Sequence, residues 1–121
     1  MKIRIRGNSI RYRLDKADIG ALKEHGKVEE ETHIGAASLH FCVRIGDKYK
    51  VKLEGSGVHM SILAEKAKEW IDTDLVGIQF EQQNADNSVL KILIEKDFKC
   101  LTEREEDDSN AFENPLSKHE C

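Results

Sequence analysis

The sequence predicts an α+β domain: a curved, mostly antiparallel sheet or small barrel, made from two pseudo-repeated βαββ units with two short helices. Three observations carry this expectation. Apolar and polar residues alternate along most of the stretch from Ile3 to Ile94, the period of a strand with one buried and one wet face. Residues 16–25 and 64–72 break that period with helical spacing. Sliding residues 9–28 forward by 48 positions superposes Ile10 on Val58, Tyr12 on Met60, Leu14 on Ile62, Leu22 on Trp70 and Val28 on Val76.

The elements follow in chain order. Ile3 and Ile5 alternate with Lys2, Arg4 and Arg6; Gly7-Asn8 signals a turn, and Ile10, Tyr12 and Leu14 then alternate with Arg11 and Arg13. The wet face of these strands is a row of arginines. Asp15 is the expected N-cap of a helix over 16–25 that turns Ala17, Ala21 and Leu22 inward and stops at Gly26. A polar strand over 27–33 leads through Gly35-Ala36-Ala37 to Leu39, Phe41, Val43 and Ile45. Gly46-Asp47 then predicts a hairpin into Tyr49, Val51 and Leu53. Gly55-Ser56-Gly57 marks a flexible midpoint, followed by a strand through Val58, Met60 and Ile62. A helix over 64–72 places Ala67, Trp70 and Ile71 on one face. Val76, Ile78 and Phe80 form the next strand, and Asn84-Ala85-Asp86-Asn87 a turn. Val89 to Ile94 is nearly continuous apolar sequence and reads as a strand buried on both faces. The expected core is Ile10, Tyr12, Leu14, Phe41, Val43, Ile62, Trp70, Val76, Ile78, Leu93 and Ile94, with the helices packed through Leu22 and Trp70.

Residues 1–100 are expected to form one globular domain, with repeats over 9–54 and 57–99. At 121 residues the chain is long enough for a core that needs no staples. Residues 101–121 change character. They carry seven acids against two bases, so the overall charge of −4 hides a body of +1 and a tail of −5. The tail is expected to run back over the body, anchored by Phe112 and Leu116. No apolar run is long enough to span a membrane. No secretory h-region follows Met1, and three cysteines make no disulfide framework, so a cytoplasmic location with reduced thiols is expected.

Taken together, Ile5-Arg6-Gly7-Asn8-Ser9-Ile10-Arg11, Thr73-Asp74-Leu75-Val76-Gly77-Ile78, Glu95-Lys96-Asp97-Phe98 and Phe112-Glu113-Asn114-Pro115 resemble an uncharacterised family of small bacterial proteins defined by a domain of unknown function. That resemblance spans nearly the whole chain and implies no activity and no site residues. A weaker one links residues 10–28 and 58–80 to swapped-hairpin and cradle-loop barrel modules, some of which bind DNA as dimers. Those modules place a proline at the strand–helix junction, where this chain has Asp15 and Leu63.

The chemistry is sparse. Cys100, His119 and Cys121 are ligand types that zinc prefers, and His119 and Cys121 form a close pair. The competing reading is a set of solvated tail residues, or a Cys100–Cys121 disulfide in an oxidising compartment. Ser9, His25, His33, His40, His59 and Cys100 are the candidate nucleophiles and bases. No catalytic motif or phosphate-cradling loop holds any of them, so the sequence leans away from an enzyme. Arg4, Arg6, Arg11 and Arg13 could engage nucleic-acid phosphates, with the acidic tail as a gate on the same face. The expected function is a non-enzymatic binding or interaction module; the sequence assigns it no partner, and a protein or a second copy stays open. A metal-binding protein and a nucleic-acid-binding protein are the alternatives.

Overall fold

The computed structural model describes residues 1–99 and Phe112. Ten elements follow one another: Lys2–Arg6 (β1), Ser9–Leu14 (β2), Lys16–His25 (α1), Lys27–Ile34 (β3), Ala37–Gly46 (β4), Lys50–Glu54 (β5), Gly57–Leu63 (β6), Ala64–Asp72 (α2), Gly77–Gln83 (β7) and Val89–Lys96 (β8). The expected α+β class holds, with two helices and a twice-repeated βαββ order. The strands lie in two four-stranded mixed sheets, and no closed barrel forms among the described residues.

Sheet A has the order β1-β2-β8-β7 and sheet B the order β3-β4-β6-β5. In both, the central pair is parallel and the flanking pairs are antiparallel. The order ββαββ therefore occurs twice, and the halves trade hairpins. Sheet A joins the first hairpin of one half (β1-β2) to the second hairpin of the other (β7-β8), and sheet B does the converse. The same backbone bond closes both parallel pairs: Lys91 N–H donates to Asn8 C=O at 2.9 Å, and His40 N–H donates to Ser56 C=O at 3.0 Å.

One expected hairpin is absent. The segment Tyr49–Leu53 does not return along β4. It pairs as β5 with β6, Lys50 opposite Ser61 and Glu54 opposite Gly57, while β6 occupies the side of β4 that β5 was expected to take. The turns explain the choice. Gly55 adopts φ +59°, as Gly7 adopts +54°, and each lets a two-residue turn close without a Cβ clash. No residue from Gly46 to Tyr49 has a positive φ. Gly55-Ser56 is therefore a hairpin turn within the second half, and each repeat begins one strand earlier than the pattern suggested.

Helix α1 is fixed locally. The Asp15 side chain accepts from the Asp18 N–H at 2.9 Å, and the Asp18 side chain accepts from the Asp15 N–H at 3.0 Å, a reciprocal capping box. Gly26 at φ +76° ends it, its N–H bonded to Leu22 C=O. Helix α2 lacks a side-chain cap at Leu63 and depends on packing. Its Ala67 and Trp70 are fully buried, and the Trp70 indole N–H donates to Val76 C=O at 3.0 Å.

A single core cluster takes side chains from both sheets and both helices. Tyr12, Leu14, Leu22, Val43, Met60, Ile62, Trp70 and Ile94 are its largest fully buried members. Each such side chain contributes roughly 1.5–3 kcal/mol on burial. Tyr12 of sheet A meets Phe41 of sheet B edge to face, ring centroids 6.4 Å apart. Most of the expected core is buried, with two departures. Val76 is exposed, because it stands at the bend before β7 where its carbonyl serves Trp70 and Lys96. Leu93 is half-buried, because β8 alternates: Ile92 and Ile94 point inward and Leu93 outward, so the strand is not buried on both faces.

Side chains join the sheet edges. The Gln82 carboxamide of β7 accepts from the Val51 N–H of β5 at 2.7 Å and donates to its C=O at 2.8 Å, imitating a strand. At the opposite edge the Met1 amine of sheet A bonds Glu30 of β3 at 2.8 Å. Phe112 is exposed, and Leu116, the other expected anchor, lies with the rest of the tail outside the described residues. No described helix is long and apolar enough to cross a membrane.

Candidate functional site

The outer face of sheet A collects the expected arginines. Register places Lys2 opposite Arg13, Arg4 opposite Arg11 and Arg6 opposite Ser9 on β1 and β2. Across the parallel pair, β8 adds Lys91, Leu93 and Glu95 to the same face, and β7 adds Gly77, Gln79 and Glu81. Six cations thus share the face with two carboxylates of the strands, and Asp97, just past β8, adds a third. The reason is the strand period: with Ile3, Ile10, Tyr12, Ile92 and Ile94 inward, every second residue must face out.

Glu95 organises the centre. Its Oε1 accepts from Arg11 Nε at 2.8 Å and from Arg13 Nε at 3.2 Å, with Arg11 Nη2 at 2.5 Å. These charge-assisted bonds hold two guanidinium groups side by side against a mostly buried carboxylate. Lys2 Nζ reaches Asp97 at 2.8 Å, where the chain leaves β8 with the Asp97 N–H bonded to Leu14 C=O at 2.8 Å. The chain therefore departs alongside the basic face. A shallow depression lined by Ser9, Gln79, Glu81, Lys91 and Leu93 lies on the same face. The arginine row was legible in the sequence. Glu95 was missed, because it sits 82 residues from Arg13 and only the parallel pairing brings it there.

The other described candidates are scattered. Cys100, His119 and Cys121 lie outside the described residues, and among the described residues no group of three or more His, Cys, Asp or Glu side chains could hold a metal. Ser9 faces out on β2, and His25 is exposed at the end of α1. His33 Nδ1 lies 2.9 Å from Ser38 Oγ, while Glu31 stands 3.2 Å from His33 Nε2 and 3.3 Å from His40 Nε2. That order of hydroxyl, imidazole and carboxylate resembles a nucleophile relay. It stands exposed on a hairpin, outside both surface depressions, and His40 competes for the carboxylate. Cys42 is packed on the outer face of β4 beneath longer neighbours; burial first, and then the charge of Glu29 opposite it, push its thiol up from the usual cysteine range.

A family model described only as a family of unknown function (DUF7009) matches residues 1–116. No curated protein and no solved structure matches the chain.

Proposed function

The chain belongs to that family of unknown function, and on this premise we propose that it is a non-enzymatic binding module whose surface is the outer face of sheet A and whose partner is the phosphate backbone of a nucleic acid strand. One observation carries the reading: six cations against three carboxylates, Glu81, Glu95 and Asp97, on one open sheet face. No aromatic side chain faces out between them, so the face offers bases no stacking platform, and binding is expected to follow charge rather than sequence. The acid-rich segment 101–121 is the competing anion in this reading, since the chain departs beside Lys2 and Arg13.

Salt-dependent anisotropy with a labelled single-stranded homopolymer, on the full chain, tests it. Binding should weaken steeply with salt, and Arg4→Gln with Arg6→Gln should lower the log–log slope by about one to two. Changing Glu105, Glu106, Asp107 and Asp108 to their amides should tighten binding. Absence of binding at low salt, in both the native chain and the amide variant, would overturn the proposal.

A further inference from the structure

The pseudo-symmetry exposes a second surface of different character. On sheet A the register row across all four strands is Gly77, Glu95, Arg13, Lys2. The corresponding row on sheet B is Lys27, Arg44, Ser61, Lys50. Arginine thus stands at the place of Glu95, and serine at the place of Arg13. Sheet A carries its own counter-ion in this row, and sheet B has three cations and a hydroxyl with no carboxylate.

Lys27 and Arg44 are directly opposite, an arrangement that repels unless an anion lies between or above them. Among the described residues Lys27 has only a long contact to Glu29, at 3.8 Å, with both groups well exposed. Arg44, Lys48 and Lys50 form no ion pair among the described residues. The small residues of β4 and β6, Cys42 and Ser61, form the floor beneath these long cations. The result is a depression of about 380 Å³ walled by Lys27, Arg44, Lys48 and Lys50. Glu29 and Glu54 also line it, one and two rows from Arg44, each beside its own lysine, and Lys52 adds a fifth cation.

We infer that this row of sheet B is a binding site for a compact multivalent phosphate, with Arg44 and Lys50 clasping phosphoryl oxygens above the Ser61 hydroxyl and Lys27 and Lys48 completing the charge. A guanidinium and flanking ammonium groups suit a chain of two or three phosphoryl groups. Sheet A offers such a ligand less, because Glu95 already occupies its central guanidinium groups. This site is independent of the surface assigned to nucleic acid.

The test is calorimetric titration of the full chain with inorganic tripolyphosphate, with amide NMR shifts as a locator. Binding should shift the amides of Arg44, Lys50 and Ser61. Lys27→Gln and Lys50→Gln should each weaken it by about tenfold, while Arg6→Gln on sheet A leaves it unchanged. Thermal melts confirm that the variants fold, and all the substituted residues are exposed. Repeating the titration with a nucleoside triphosphate identifies the source. Tighter binding than tripolyphosphate assigns the site to a nucleotide, and equal or weaker binding assigns it to inorganic polyphosphate. No heat and no shift at millimolar tripolyphosphate would overturn the inference. So would binding that survives Lys27→Gln and Lys50→Gln but falls in Arg6→Gln.

Discussion

Tyr12 shows how a single residue can fit the core by shape and conflict with it by chemistry. Its ring is fully buried and packs edge to face on Phe41, yet its hydroxyl has no hydrogen-bond partner among the described residues. Loss of solvation raises its phenol pKa well above the ordinary value. Raising pH through the ordinary tyrosine range therefore ionises the unfolded chain first, and the contribution of Tyr12 to stability is lost as pH climbs towards the folded value. Tyr12→Phe keeps the ring and removes the orphan group. It should stabilise the fold by roughly 1 kcal/mol and flatten the alkaline loss, read as a shift in the urea midpoint at pH 7 and pH 10. A lower midpoint in the variant would mean that the hydroxyl is satisfied. In Met60, the counterpart of Tyr12 48 positions along, a thioether fills the same place with no hydroxyl to satisfy.

At the scale of elements, two glycines that look alike in the sequence have opposite meanings. Gly20 lies inside α1 with open space around it and an ordinary φ, so Gly20→Ala should stabilise by about 0.5–1 kcal/mol. Gly77 begins β7, where a Cβ would stand 2.6 Å from Ile94 C=O and 2.9 Å from Glu95 Cβ. Gly77→Ala should therefore cost about 1–3 kcal/mol. It should also disturb the strand that holds Glu95 against Arg11 and Arg13. Denaturant melts of the two variants check both signs. Much at this scale was legible in the sequence. The reciprocal Asp15 and Asp18 cap, the Gly26 stop and the alternation in β2, β4 and β6 are local signals, and the elements stand where those signals fall. Pairing was not legible. Alternation says which face of a strand is wet, and it does not say which strand lies beside it. The arginine row was visible because its members are near neighbours in sequence. Glu95, and the row Lys27, Arg44, Ser61 and Lys50, were not, because each depends on strands brought together from distant parts of the chain.

For the whole molecule the exchange of hairpins sets the unit of cooperativity. Neither half holds a complete sheet, since every four-stranded sheet needs a hairpin from each. The core is likewise shared, with Tyr12 and Leu22 from one half beside Met60 and Trp70 from the other. Peptides covering 1–48 and 49–121 should each lack a cooperative melt as monomers, and an equimolar mixture should regain one, seen by circular dichroism and near-ultraviolet signal from Trp70. A monomeric 1–48 peptide that melts cooperatively would show that the exchanged hairpin is dispensable.

The parallel pairing of β2 with β8 has a further consequence for the living cell. A ribosome makes β2 long before β8, and sheet A waits for most of the chain to be translated. Through that interval the edge of β2, with Ile10 and Tyr12 on its apolar side, is an open template for any neighbouring strand. The arginines on its other side then act as gatekeepers: like charges on the strands of two nascent chains repel before their edges can meet. Replacing them to probe binding would also remove this protection, so loss of soluble yield is to be separated from loss of affinity.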